Sequence, residues 1–408
     1  MRSVNFYMPV QVYFESGCVL LHSQQLASLG DRALLVTGRS GAVKSGALED
    51  VCTALKMHRV EWEVFSQVGE NPLVSTCKRA GEAARAFGAD FVVGIGGGSA
   101  MDAAKAAAVF AANPQLDESA LYDREWQAPA LPVVCVPTTA GTSSELDQTA
   151  VLTIDEIGRK QSVGREDTFP RLALIDPKYT YSLPYRQTVS TAVDAFCHGV
   201  ESYFAQNADG VSRMFALRGI ELLYEGLCRL ADAWEDSARG AAVEIQPQLR
   251  DQISEGCLCA GFSLNRCGTC FPHRLGYLLT ERYGIPHGTA SGAFLPAFIQ
   301  RAKSCSRELF RPFLKALGEP DERAVCRLLQ RFCRTGCTMT AQEVEGCRSR
   351  FEAVSNFHRT PGGYTADEAV ELTVELVRAL DLSLIHIWAA TLYGSMERTL
   401  LNSAMALS

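Results

Sequence analysis

Four side chains, well separated along the chain, could together hold a divalent cation. Asp194 and His198 stand four residues apart in VSTAVDAFCHGVESYF, so a helix there places a carboxylate and an imidazole on one face. His273 and His287 are separated by a segment of helical length that ends in the tight turn GIPHG, which can return the second imidazole toward the first. A mixed carboxylate and imidazole set suits Fe(2+) or Zn(2+), whereas a thiolate-rich set would indicate structural zinc or an iron–sulfur cluster. The same Asp/His spacing is also ordinary for a solvated or hydrogen-bonded pair, and spacing alone leaves both readings open. Cys257, Cys259, Cys267 and Cys270 form an alternative set, C-x-C…C-x-x-C. Their spacing is unusual for zinc and a site there would interrupt the segment leading to His273, so small buried thiols are the better reading.

A second kind of chemistry is suggested by GIGGGSAMDAAKA (94–106), which follows an apolar strand and opens an alanine-rich helix. Glycines at such a junction let backbone amides approach a phosphate at a helix N-terminus. The spacing is not the usual G-x-G-x-x-G, and a glycine turn made only for packing has the same look. VPTTAGTSSELDQTAVLT (136–153) begins at the end of another apolar strand and offers the hydroxyls of Thr138, Thr139, Thr142 and Ser144. Strand ends of an open parallel sheet point to one edge, so the two segments together favour a dinucleotide crevice.

The elements that must position these groups fall into two kinds. Between residues 30 and 180 the apolar runs ALLVT (33–37), VEWEVF (60–65), DFVVGIG (90–96) and LPVVCVP (131–137) alternate with helical patterns, as parallel strands joined by crossover helices do. After Pro184 strand-like runs nearly vanish and long segments of helical period take over. The expectation is an α/β dinucleotide-binding domain over residues 1–185 with a Rossmann-like parallel sheet, and an all-α metal-binding domain over 186–408. A ligand cleft is expected between them.

Composition narrows the function classes. The formal charge of −7, without a Lys/Arg cluster, argues against nucleic acid or an anionic membrane as partner. No window approaches the roughly 20 apolar residues of a membrane span, and the first residues lack the pattern of a secretory signal. The chain is read as cytoplasmic, with its 15 cysteines reduced.

Taken in order, GGGSAMDAAKA, PTTAGTSSE, DAFCHGVES and HRLGYLLTERYGIPHG resemble the successive signatures of the iron-containing (group III) alcohol dehydrogenases over about residues 5–380. The resemblance implies a metal-dependent, nicotinamide-linked oxidoreductase that interconverts a small primary alcohol or diol and its aldehyde, acting as a homodimer. It also implies metal ligands at Asp194, His198, His273 and His287, and cofactor contacts at Asn71, Gly97, Gly98, Ser99, Asp102, Thr138, Thr139, Thr142 and Lys160. The dehydroquinate-synthase-like enzymes share this architecture, and a non-redox relative of that kind is the neighbouring alternative.

Three departures from the family pattern matter. Many relatives carry a further histidine four residues after the third ligand, near the nicotinamide. Tyr277 stands there, and its hydroxyl can relay a proton or the ring can wall the pocket. Relatives that prefer NAD place an aspartate after the second strand, where this chain has Gly38 followed by Arg39 and Ser40, with Lys44 nearby. Loss of the carboxylate and gain of positive charge favour NADP(H) over NAD(H). Asp147 occupies a usual threonine position near the cofactor. Gln148, Thr149 and Phe271 are expected to shape the substrate pocket, and the His-to-Tyr change also fits reductases of small anionic aldehydes such as phosphonoacetaldehyde. LSLIHI, from Leu382 to Ile387, resembles the translated read-through of a transposon end, so about residues 382–408 are read as non-native and His386 is given no role.

Overall fold

A computed structural model of the chain describes residues 4–376 apart from 237–242, 335, 337–338 and 353; the expectation for 382–408 lies outside the described residues. Six strands form one parallel sheet: β1 (Gln11–Phe14), β2 (Arg32–Gly38), β3 (Glu61–Val68), β4 (Phe91–Gly96), β5 (Val133–Pro137) and β8 (Leu172–Ile175), in the order β1-β8-β5-β4-β2-β3. Alternate side chains of the central strands serve two cores. Leu34, Val36 and Val92 pack on the helices Val74–Phe87 and Gly98–Ala112, while Ala33, Leu35, Phe91, Val93 and Ile95 pack on the helix Ala47–Met57. A sheet covered on both faces needs apolar residues in both phases, which is why these strands read as continuous apolar runs.

The chain crosses from β3 on one side of β2 to β4 on the other. Loops leaving β2 and β4 therefore diverge and open a crevice beyond the carboxyl ends of the strands, where the glycine-rich segment lies. Strands β6 (Ala150–Ile154) and β7 (Arg159–Val163) pair with each other as an antiparallel hairpin outside the main sheet. The sequence pattern did not signal this hairpin. Thr153 anchors it, donating its N–H to Pro72 O at 2.8 Å and its hydroxyl to Asn71 O at 3.1 Å.

From Tyr185 onward the described elements are helical, among them Tyr185–Phe204, Gly210–Asp236, Pro247–Cys267, Phe271–Tyr283 and His287–Cys305. They enclose an aromatic-rich core in which Phe204 meets Phe313 edge-on, with ring centres 5.2 Å apart. Phe271 belongs to this core: it is buried and stacked on Tyr364 at 4.1 Å, so the expected pocket wall at Phe271 is corrected to a packing role. No described helix is long and apolar enough to cross a membrane. The described cysteines, Cys257, Cys259, Cys267 and Cys270 among them, are free thiols.

Candidate active site

The helix Tyr185–Phe204 presents Asp194 and His198 from one buried face. His273 comes from the first turn of Phe271–Tyr283, and His287 is the first residue of the helix that follows the GIPHG turn. Gly288 makes this convergence possible. A Cβ there would overlap the Ser190 carbonyl oxygen and stand 2.8 Å from Asp194 Cβ, so the two helices can cross at this point only without a side chain.

Asp194, His198 and His273 each offer a ligand atom, and these atoms lie within 4.8 Å of one another. Asp194 Oδ1 is 3.3 Å from His273 Nε2 and 3.7 Å from His287 Nε2, and the His198 and His273 rings stack at 4.5 Å. His287 stands at the edge of the group with its side chain 26 % exposed, facing the cavity that the others adjoin. Asp194 Oδ1 and His273 Nε2 are buried and neither makes a hydrogen bond of acceptable geometry. Leaving such atoms unsatisfied costs about 1–3 kcal/mol each.

The electrostatics favour positive charge at this point. Burial alone would raise the Asp194 carboxyl, but the imidazoles of His287, His198 and His273 outweigh it and hold the group below the usual carboxylate range. Burial lowers His198 to about 4 and His287 to about 3, so both are neutral ligand-type imidazoles. Burial also opposes charge on His273, yet Glu201 and Asp194 bring it up to about 10. An acidic oxygen and three imidazoles, with orphaned atoms turned inward, fit a divalent cation.

Two supporting contacts were not foreseen from the sequence. Glu201 is fully buried; one oxygen contacts His273 Nδ1 and the other accepts the Cys270 N–H at 2.6 Å. His198 Nδ1 lies 3.2 Å from Gly141 O. Each leaves Nε2 as the outward nitrogen of its ring, the usual work of groups behind a metal ligand. The signal for Glu201 was present, since 194, 198 and 201 share one helix face.

The cluster opens into a cavity of about 730 Å³ that Asn71, Gly98, Ser99, Asp102, Thr142 and Lys160 also line. Gly96 turns the chain at φ 152°, and no side chain caps the helix Gly98–Ala112, which leaves its first amides available. Gly97 and Gly98 press close to threonines: a Cβ would stand 3.2 Å from Thr139 Cγ2 and 2.7 Å from Thr142 Cγ2 respectively. Gly97, Thr138 and Thr139 lie just behind the lining, and Gly38, Arg39 and Ser40 stand apart from it at the carboxyl end of β2, the latter two exposed. Asp102 is engaged by the chain itself, accepting the Ser144 hydroxyl at 2.6 Å and the Val151 N–H at 2.9 Å.

Lys160, on β7, donates to Asn71 Oδ1 at 2.9 Å and stands 5.2 Å from the centre of the Tyr277 ring. Burial draws its ammonium below the ordinary value. Tyr277 lines the cavity 5.4 Å from the His287 ring, and burial raises its phenol, which is therefore neutral at pH 7. Gln148 and Thr149 line the cavity as expected, and Asp147 is paired with the buried Lys105 at 3.3 Å.

Comparison with known proteins agrees with this architecture. The model of the iron-containing alcohol dehydrogenase family matches residues 9–177, and that of the C-terminal region of the Fe-containing alcohol dehydrogenase family matches 188–343. The crystal structure of an iron-containing alcohol dehydrogenase aligns at TM-score 0.81 and 32% identity, covering 91% of this chain and 98% of that one. The chain belongs to the iron-containing alcohol dehydrogenase family. It is thus an enzyme of a family that acts on alcohols and aldehydes with a metal and a nicotinamide cofactor. Alcohol dehydrogenase 4 of Schizosaccharomyces pombe is 29% identical over 300 residues, 73% of this chain and 68% of that protein. The sulfoacetaldehyde reductase of Bilophila wadsworthia is 30% identical over 65% of this chain and 66% of that protein. The structure of sulfoacetaldehyde reductase from Bifidobacterium kashiwanohense in complex with NAD+ aligns at TM-score 0.79 and 25% identity, covering 92% of this chain and 99% of that one.

Proposed function

We propose that the enzyme interconverts a small primary alcohol and its aldehyde, with Fe(2+) or Zn(2+) held by Asp194, His198, His273 and His287 and with NADP(H) preferred over NAD(H). The observation that carries this reading is that the orphaned imidazole–carboxylate cluster and the uncapped glycine-led helix open into one cavity. When bound, the cation supplies positive charge for the carbonyl oxygen and the reduced nicotinamide supplies hydride for the carbonyl carbon. Glu201 fixes the His273 proton on Nδ1, so that Nε2 faces Asp194. The amides of Gly98 and Ser99 would hold the pyrophosphate, and Asn71 and Lys160 would hold the nicotinamide half. The neutral Tyr277 phenol, or solvent entering the cavity, gives the proton that completes the alcohol oxygen. Residues 1–185 form the cofactor domain and the helical part the metal domain in this reading. The preference for NADP(H) rests on Gly38 in place of a carboxylate, with Arg39, Ser40 and Lys44 supplying donors and charge.

The test follows absorbance at 340 nm with short aldehydes and NADPH or NADH, comparing metal-stripped enzyme with enzyme restored by Fe(2+) or Zn(2+). Metal-dependent oxidation of the cofactor, faster with NADPH, is expected. Folded, metal-loaded protein that binds cofactor yet reduces no aldehyde would overturn the reading in favour of a non-redox enzyme on the dehydroquinate-synthase-like fold.

A further inference from the structure

The helical wall of the cavity carries positive charge that neither the cation nor a pyrophosphate explains. Arg266, near the end of Pro247–Cys267, Arg274, next to His273, and Arg359, at the end of the 3₁₀ turn Ser355–Arg359, all line it. The acid contributed by this wall is Asp194, which is enclosed by the imidazoles. Glu201 lies behind His273 with both oxygens engaged. The chain as a whole is acidic, with a formal charge of −7, so a local excess of guanidinium groups runs against its average.

Two of these arginines face no carboxylate, and the third shares one that is already engaged. The Nε of Arg266 is 3.5 Å from Asp209 Oδ2, and that carboxylate already accepts the backbone N–H groups of Val211 and Ser212 on its other oxygen. Arg274 reaches a neutral amide, Asn356 Oδ1, at 3.4 Å. Arg359 packs over Gly268, whose positive φ of 67° brings the loop beneath the guanidinium. Among the described residues, neither Arg274 nor Arg359 has a carboxylate within ion-pair distance. All three guanidinium groups are half-buried along the cavity, so an anion entering it can meet them while they keep part of their contact with water.

Their placement links them to the reacting centre. The guanidinium carbon of Arg274 is 5.6 Å from the Tyr277 ring centre, which in turn is 5.4 Å from the His287 ring. Asn356, from the same turn as Arg359, donates to Thr269 Oγ1 at 3.0 Å, and the next residue, Cys270, is bonded to Glu201. The loop 268–270 therefore ties this patch to the His273 support. The cofactor groups are carried by the other domain: the amide cradle at Gly98, the Lys160–Asn71 pair, and Arg39 beyond β2.

We infer that Arg266, Arg274 and Arg359 form a subsite for an anionic end of the substrate, which makes the preferred substrate a short aldehyde carrying a carboxylate, sulfonate or phosphonate. The inference rests on the aldehyde-reductase reading of the site. Planar, multi-donor guanidinium groups suit all three anions, and the carbonyl end is then directed to the imidazole cluster.

The test uses the full-length, metal-loaded enzyme with its nicotinamide cofactor. The kcat/KM values for succinic semialdehyde, sulfoacetaldehyde and phosphonoacetaldehyde are compared with those for the neutral aldehydes butanal and propanal, in wild type and in Arg359→Gln and Arg274→Gln. Calorimetry with ethanesulfonate, which has no carbonyl to reduce, reports anion binding separately from turnover. We expect at least one anionic aldehyde to be preferred by tenfold or more over its neutral counterpart, and the order among the three identifies the anion. Each variant is expected to lose at least tenfold more on the anionic substrate than on the neutral one, chiefly through KM, and to bind ethanesulfonate at least tenfold more weakly. Turnover of neutral aldehydes with no anionic preference, or equal losses on both classes in both variants, overturns the subsite and leaves the aldehyde-reductase reading standing. Arginine-dependent binding of ethanesulfonate without reduction of any aldehyde keeps the anion site and sinks the reductase reading instead.

Discussion

Two buried ionic clusters adjoin the cavity, and they differ in what they leave unsatisfied. On the sheet side, Lys105 is 1 % exposed and its ammonium donates to Ser144 Oγ at 2.9 Å, Thr149 O at 2.8 Å and Asp147 Oδ1 at 3.3 Å. The Ser144 hydroxyl in turn donates to one Asp102 oxygen, and the other Asp102 oxygen accepts from the Val151 N–H. Three donors meet three acceptors, so the cluster is closed. On the helical side, Asp194 Oδ1 and His273 Nε2 face each other without a hydrogen bond, although Glu201 satisfies the rear of His273. Both clusters cost desolvation to bury, and in the first burial still leaves the Asp102 and Asp147 carboxyls above their ordinary value, while in the second two facing atoms lack any hydrogen bond from the chain. The hydrogen bonds of the first cluster thus close within the chain, and those of the second do not.

Asp194→Asn tests the open cluster and has the largest expected effect. It should lower kcat/KM by on the order of 10³-fold or more, because several kcal/mol of charge stabilisation at the carbonyl depend on the bound cation. Wild type should also gain thermal stability on adding Fe(2+) or Zn(2+), by about 2.7 kcal/mol at a hundredfold excess over Kd. A variant that keeps the full metal-induced shift would show that Asp194 is not a ligand.

Lys105→Met probes the closed cluster. Removing the ammonium strands Asp147 and Ser144, and urea unfolding should show a loss of about 3–5 kcal/mol with the metal content of the folded protein unchanged. Loss of metal without loss of stability would erase the contrast between the clusters. The smallest of the three effects is expected for Glu201→Gln, where metal affinity measured by competition with a chelator should fall about 10–100-fold. An unaltered affinity would reduce Glu201 to a packing residue.

What the sequence made legible was local or carried by motif. Strands β2, β4 and β5 announce themselves because both faces are buried, and the two-part division follows from the change of period after Pro184. Asp194, His198, His273 and His287 were readable as candidates because one helix and one tight turn bring them together. Glu201 was passed over because a glutamate on a helix usually faces water; its burial depends on the loop at Cys270, 69 residues further on. Arg266, Arg274 and Arg359 carried no signal for the same reason, since only the packed helices bring them to one wall. Phe271 was misassigned because it lies only two residues from His273 in sequence, whereas its ring packs into the core on Tyr364. The hairpin β6–β7 escaped notice because its strands are only five residues long and lie outside the main sheet, although Ala150, Leu152 and Val163 are buried in the core beneath them.

That hairpin has a mechanical role. The backbone N–H of Lys160 donates to Glu281 Oε1 at 2.9 Å, and Glu281 is itself clamped by Arg350. Thr153 on one strand of the hairpin is thus bonded to the strand-to-helix turn at Asn71 and Pro72, and its cross-strand partner Lys160 to the helix that carries His273 and Tyr277. A swing that parts the two halves of the molecule at this edge would break the Lys160–Glu281 hydrogen bond, so the hairpin couples the Asn71 turn mechanically to the helix that bears His273.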